Sequence, residues 1–472
     1  MIRLLQLASA LTIAMLASVG FTVPEQTMPS RVHLAEKAAI YALPLVIMDL
    51  TREQFFANPV AADATPNRFY HIPVPGNARF QPVVRPNVDT IYSSAWLDLN
   101  TEPVVLTVPS SHGRYFMIQC MDAWTNVIAD PGLRTLGNKS ARFVLTGPDW
   151  RGPLPAGIKE IHSPTSMVWV LARVYYRDRL DLPAARAYQL QLDIRPLNRL
   201  NDEGFHPAGP RYTRTGASSP AMLDKLKHLG SEAFFERFLK LTVRNPPTPQ
   251  DQPFVREVLD PLNLRTGEPP AQHEIDASDR LALSQGFEAM MDLLSSSTLS
   301  DLQSARTPTG WSGLNEKAAQ GEYGTNYWRR AVVAVFGLGA NLRADAMYLN
   351  ATVDGNGDHL DGGKRYRLTF APGKTPPVHG FWSVTLYDDR GYLVANSTHR
   401  YAIGSGSHLS YEPDGSLTIF LEPESPGFSH SANWIPTPSG RAFQLSLRAY
   451  WPKDELLEGK WMPPAVVPID RK

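Results

Sequence analysis

Two stretches of this chain carry the same landmarks in the same order, and that duplication limits the fold more than any other feature. Asp89, Tyr92, Ala95 and Asp98 match Asp345, Tyr348, Ala351 and Asp354 without a gap, at a constant offset of 256 residues. Leu106-Thr107 then matches Leu368-Thr369. GRYFMIQCMD, ending at Asp122, parallels GFWSVTLYD, ending at Asp388. Trp150, Pro155 and Gly157 parallel Trp434, Pro438 and Gly440, and Arg173-Val174-Tyr175 parallels Arg448-Ala449-Tyr450. In both stretches short β-rich runs (104–108, 115–121, 141–145 and 167–176; 366–370, 381–387, 417–421 and 443–451) are broken by Pro- and Gly-containing turns. That texture fits an antiparallel sandwich or barrel. The expectation is a β-module of roughly 110 residues, an ordinary domain size, present twice.

Elsewhere the periodicity is helical. Residues 33–56 carry Leu34, Ala38, Tyr41, Leu45 and Met48 at helical spacing, with Pro44 expected to kink or split the helix. Residues 222–241 and 275–294 carry stripes that include Leu226, Phe234 and Phe238, and Phe287, Met290 and Leu294. The fold class expected is α+β and β-rich: two related antiparallel β-sandwich or jelly-roll-like units, a helical N-terminal segment and a helical insertion. The boundaries read 30–69 for the N-terminal helical segment, 70–182 for the first β-unit, 183–342 for the helical region and 343–472 for the second β-unit.

Composition narrows the function classes. At 472 residues the chain is too long for one core, and 43% apolar residues against 19% charged can bury more than one despite 41 prolines. Lys plus Arg equal Asp plus Glu at 46 each, so no basic surface for nucleic acid is expected. The single cysteine, Cys120, can form neither an internal disulfide nor a thiolate cage, and its place in an alternating strand predicts an inert, buried thiol. Residues 1–22 place Arg3 before an apolar run and small residues, with Pro24 following. This reads as a signal peptide, against the alternative of an uncleaved anchor. A periplasmic or secreted protein with no membrane span after cleavage is therefore expected.

The polar segment Arg85-Pro86-Asn87-Val88-Asp89-Thr90-Ile91-Tyr92 packs a guanidinium, an amide, a carboxylate and a phenol into eight residues. Such a set could orient a small-molecule or carbohydrate ligand, because Arg forks onto anions while Asn and Asp bind hydroxyls. It could equally cap turns and tie a loop to backbone. In an enzyme, Asp89 with Asp122 or Asp388 would supply acid–base groups. Arg85, Asn87, Tyr92, Asp345, Tyr348 and Trp434 would bind the ligand, with Trp124 and Trp382 as further aromatic candidates. The rival readings are a non-catalytic binding or envelope-associated module and a self-associating shell protein.

Asp354-Gly-Asn-Gly-Asp358-His-Leu-Asp361 resembles a calcium loop but lacks its obligatory glycine and glutamate, so a solvated turn is expected. His379, His399, His408 and His430 form no zinc motif. No nucleophile elbow, phosphate loop or dinucleotide fingerprint occurs, so neither metal nor cofactor is assigned.

These residues also carry a family resemblance. RPNVDTIYSSAWLDLNTEPVVLTVP, residues 85–109, resembles the bacterial domain of unknown function 1254. NYWRRAVVAVFGLGANLRADAMYLN (326–350), LDGGKRYRLTF, PPVHGFWSVTLYD and the terminal LRAYWP…GKWMPP resemble its usual C-terminal companion, domain of unknown function 1214. The resemblance implies exported proteins with two β-barrel or jelly-roll-like units plus a helical part, and it brings no agreed activity. IYALPLV stands where relatives tend to have Gly-Tyr-Pro, which bears on the packing of the first helix.

Overall fold

The computed structural model describes residues 30–58, 64–79, 85–202, 222–269, 275–296, 306–313 and 320–469; the signal segment lies outside them. The first unit comprises β1 (Tyr70–Ile72), β2 (Thr90–Asp98), β3 (Val104–Val108), β4 (Phe116–Asp122), β5 (Val127–Ala129), β6 (Ala141–Thr146), β7 (Lys159–His162), β8 (Met167–Tyr175) and β9 (Asp193–Pro196). The second comprises β10 (Trp311–Ser312), β11 (Ala346–Ala351), β12 (Arg365–Phe370), β13 (Trp382–Asp388), β14 (Ala402–Gly404), β15 (Leu417–Glu422), β16 (Trp434–Pro436), β17 (Phe443–Tyr450) and β18 (Val466–Ile469).

The strand orders are β1-β2-β8-β4-β5 with β7-β6-β3-β9, and β10-β11-β17-β13-β14 with β16-β15-β12-β18. Each position in one unit has its counterpart in the other. Even the parallel pair recurs, as β6 with β7 and β15 with β16. Register repeats too: Tyr92 faces Arg173 across β2–β8, and Tyr348 faces Arg448 across β11–β17. The module is duplicated strand for strand.

Alternation along the strands sends one face of each five-stranded sheet inward. Ile91, Ala95, Leu106, Ile118, Cys120, Val170 and Ile194 fill the first sandwich; Leu349, Leu368, Val384, Ile419, Leu447 and Val466 fill the second. Cys120 is fully buried, and burial pushes its thiol pKa up to about 12, so it rests as an unreactive thiol.

The outer face of the first five-stranded sheet is covered by helices α1 (Arg31–Ala57), α2 (Met222–Thr242), α3 (Ala277–Ser296) and α4 (Tyr327–Phe336), which pack against Trp96, Met121, Trp124 and Leu171. Pro44 does not split α1, which runs through it as one buried helix whose N-cap Ser30 accepts from His33 N. Gly286 lets α3 approach α1 closely, since a Cβ there would stand 2.4 Å from the Ala35 carbonyl carbon. Strands β9 and β10 lie outside the boundaries read at 182 and 343. Both are short edge strands embedded in the helical stretch, too brief to show alternation. No helix among the described residues is long and apolar enough to cross a membrane.

Candidate ligand site between the two units

The two units meet through the outer faces of their five-stranded sheets. Tyr115 and Tyr175 of the first interleave with Phe381 and Tyr450 of the second; Tyr175 stacks on Phe381 at 3.9 Å and Phe381 on Tyr450 at 4.1 Å between ring centroids. In the duplication Tyr115 corresponds to Phe381 and Tyr175 to Tyr450, so a local pseudo-twofold axis runs through this cluster.

Beside it stand two equivalent arginines. Arg173 is 6% exposed and donates from Nη1 to Gln119 Oε1 at 2.9 Å and from Nη2 to the Gly339 carbonyl at 2.7 Å. Arg448 is 3% exposed and donates from Nη1 to Thr385 Oγ1 at 2.8 Å and from Nη2 to Tyr387 Oη at 2.6 Å and the Arg85 carbonyl at 3.1 Å. Gln119 and Thr385 are counterparts on β4 and β13. Each arginine also holds a carbonyl of the loop that leads into the other unit. The Arg173 guanidinium carbon lies 5.4 Å from the Tyr92 ring centroid. Tyr348, which accepts from Asn341, lies within electrostatic reach of both arginines and of Tyr92. Burial pushes the Tyr348 and Tyr450 phenols up, which leaves both neutral at pH 7.

The polar segment ahead of β2 lies against the second unit. Arg85, held at a left-handed φ of 51°, donates from Nη2 to Gln444 Oε1 at 2.7 Å. Pro86 O accepts from Tyr387 Oη at 2.8 Å, and Asn87 Nδ2 donates to Tyr450 Oη at 2.6 Å while its Oδ1 caps the Asp89 amide. Asp89 Oδ2 accepts from Ser383 Oγ at 2.7 Å and Tyr450 Oη at 3.4 Å. Burial raises its pKa; Arg448 and the two hydroxyls pull the other way without cancelling the rise.

Arg85, Asn87, Asp89, Tyr92 and Tyr348 therefore converge on one junction. Asp345 lies on its flank, accepting from Arg134 Nε at 2.7 Å, while its carbonyl accepts from Tyr115 Oη. Asp122 stands elsewhere, whereas the turn that Asp388 opens borders the Arg85 segment through backbone, its Gly391 carbonyl accepting from the Arg85 amide at 2.7 Å; each aspartate is the last residue of its strand. Asp122 Oδ1 accepts from the Trp124 and Asn126 amides at 2.9 and 2.8 Å; Asp388 Oδ1 accepts from the Arg390 and Tyr392 amides at 3.0 and 2.8 Å. Trp434 opens β16 in the other layer of the second unit and donates to the Glu422 carbonyl. Trp124 and Trp382 are core residues.

Asp354 caps its own loop through the Asn356 and Asp358 amides, as a turn. No group of three or more His, Cys, Asp or Glu side chains is placed to hold a metal ion among the described residues. A separate cavity of about 520 Å³ between α1, α2, the end of β2 and the start of β8 is lined by balanced charges, with Asp49 paired to Arg52 and Arg237.

Reading the residues one by one passed over Arg173, Arg448, Ser383 and Tyr387. The signal for the arginines was the repeated Arg-x-Tyr, a charge inside an otherwise apolar strand.

The comparisons with known proteins bear on this architecture. Residues 66–196 match the family model described as protein of unknown function DUF1254, and residues 345–454 match that of protein of unknown function DUF1214. No curated protein matches the chain. The crystal structure of the VPA0106 protein from Vibrio parahaemolyticus is 23% identical, with a TM-score of 0.68 over 93% of this chain and 100% of that one, and it shows the same fold. An uncharacterized protein from Burkholderia cenocepacia is 12% identical over 92% of this chain and 88% of its own, with a TM-score of 0.43.

Proposed function

Because the chain carries the DUF1254 and DUF1214 domains in that order, we propose that it is an exported binding protein whose site is the cleft between its two β-units, where it holds a small polar ligand. The observation that supports this reading is the convergence of two equivalent Tyr–Arg pairs, Tyr92 with Arg173 and Tyr348 with Arg448, on one polar junction. Beside the apolar cluster of Tyr115, Phe381 and Tyr450, the interface holds neutral phenols, guanidinium groups, Ser383, Thr385 and Asn87, which can fix the orientation of a ligand.

Hydrolysis is the second reading, and Asp89 supports it: a buried carboxyl with a raised pKa can act as a general acid. Two-carboxylate hydrolysis needs a partner, and Asp122 and Asp388 are engaged in capping turns. Binding is therefore the reading the geometry supports better.

The test is calorimetric titration of the mature chain with a panel of small polyols, sugars and organic acids. A ligand bound by the wild type should lose about tenfold or more in affinity in Tyr92→Phe, Tyr348→Phe and the double variant, the scale of a lost hydrogen bond to a ligand. Unchanged affinity in all three variants would remove the cleft. Turnover of a bound sugar that disappears in Asp89→Asn would favour hydrolysis instead.

A further inference from the structure

On the flank of the cleft a charged cluster joins the two units. Arg134, on the short helix Leu133–Leu136 of the first unit, donates from Nε to Asp345 Oδ1 at 2.7 Å and from Nη2 to Asp345 Oδ2 at 3.2 Å. The same Nη2 donates to Asp130 Oδ2. Asp130 follows β5 of the first unit, and Asp345 precedes β11 of the second. Two carboxyl groups from different units thus meet on one guanidinium, their side chains 21% and 4% exposed.

One positive charge cannot compensate two carboxylates. With both ionised the cluster is net −1; with a proton on Asp130 it is neutral, and that carboxyl can donate to the Asp345 carboxylate. Burial, the Asp345 charge and its hydrogen bond push the Asp130 pKa up to about 7, against the pull of Arg134. The other groups that face the pair hold their charge state across this range. The Cys120 thiol and the Tyr115 phenol, whose Oη donates to the Asp345 carbonyl at 3.1 Å, are pushed up by burial and stay neutral, while Arg173 and Tyr348 act on Tyr115 in turn. The repeat shows that the fold does not require such a pair. Asp89, the counterpart of Asp345, accepts from the hydroxyls of Ser383 and Tyr450 instead.

We propose that Asp130, Arg134 and Asp345 form a pH-responsive joint between the two β-units, closed in mild acid by a proton shared between the carboxyl groups and loosened in mild alkali by their repulsion. The device needs no ligand and so stands apart from the cleft reading.

The sign follows from the proton. Released from the joint, Asp130 holds its proton only to about 3.8, whereas in the closed joint it holds it to about 7. Closure is therefore most stable below 3.8 and weakens as the pH rises to 7. Between pH 6 and 8 the opening equilibrium should rise about tenfold.

The experiment is hydrogen exchange of the mature chain at pH 6 and 8, corrected for the intrinsic rate. The Trp451 amide donates to the Asp345 carbonyl at 2.7 Å, and the Arg85 amide donates across the seam to the Gly391 carbonyl. Both should lose about tenfold in protection, while amides of β3 inside the first sandwich change less than about twofold. In Asp130→Asn, whose amide copies the protonated carboxyl, both seam amides should keep their pH 6 protection at pH 8. Carboxyl-carbon NMR of the wild type gives a reading that needs no variant: the pair should titrate in two steps, the upper near 7.

An upper step below about 5 would overturn the proposal, as would a loss of protection that persists in Asp130→Asn. An equal fall in β3 would mean that the whole fold responds and not the joint, and would overturn it too.

Discussion

The outer faces of the two five-stranded sheets are built on the same strands in the same register, yet their chemistry differs. On the first, positions 96, 121, 169 and 171 are Trp, Met, Trp and Leu, and helices cover most of them. On the second, the counterparts 352, 387, 444 and 446 are Thr, Tyr, Gln and Ser. Only the Tyr–Arg pair and its immediate neighbours are shared. A duplicated module keeps its inner face, because core packing tolerates little change, while the outer face is free to be specialised. One copy became a platform for helices and the other a polar wall.

Trp96→Ala should break the first platform. Trp96 is 2% exposed and stacks on Trp169 at 4.9 Å, so its loss should cost about 3 to 5 kcal/mol in urea unfolding. Thr352→Ala, at the matching position, should cost less than about 1 kcal/mol. Equal costs would mean that the two faces are not specialised.

His71 sharpens the contrast through pH. It sits on β1 with Nδ1 2.8 Å from Ser93 Oγ, and burial lowers its pKa to about 4. The unfolded chain takes up this proton below its ordinary value near 6.5, whereas the folded chain resists until about 4. Stability present above pH 6.5 should therefore fall as the pH drops to 4, by about 3 kcal/mol. The second unit has Gly313 after β10 and nothing to titrate there. His71→Asn should flatten unfolding free energy measured across that range; an unchanged slope would assign the loss to other groups.

The smallest difference between the copies should come where their residues agree. Asp122→Ala and Asp388→Ala each free two turn amides and should each cost about 1 to 3 kcal/mol, alike within error. A large difference between them would show that one aspartate does more than cap.

Much of the fold was legible because the repeated landmarks are turn and strand signals. Asp122, Asp354 and Asp388 all cap a loop at i+2 and i+4, and a device of that kind recurs when its module is copied. The short edges β9 and β10 were hidden, since two to four residues carry no period. The junction was half legible. Asp89, Tyr92 and Tyr348 come together as the duplicated motif suggested. Asp122 and Asp388 could be recognised as caps only once their amide donors were in place. Trp434 has a partner that no spacing announced: its indole N–H donates to the Glu422 carbonyl.

The entry loops cross over. The stretch before β2 is held by Arg448, Tyr387 and Gln444 of the second unit, and the stretch before β11 by Arg173 and Gln119 of the first. Each half thus lends the other a piece of its finished surface, as in a domain-swapped dimer whose protomers have been fused. A half expressed by itself would display the bare docking strip of its absent twin. Two separately made halves, refolded in one vessel, should recover what neither recovers singly.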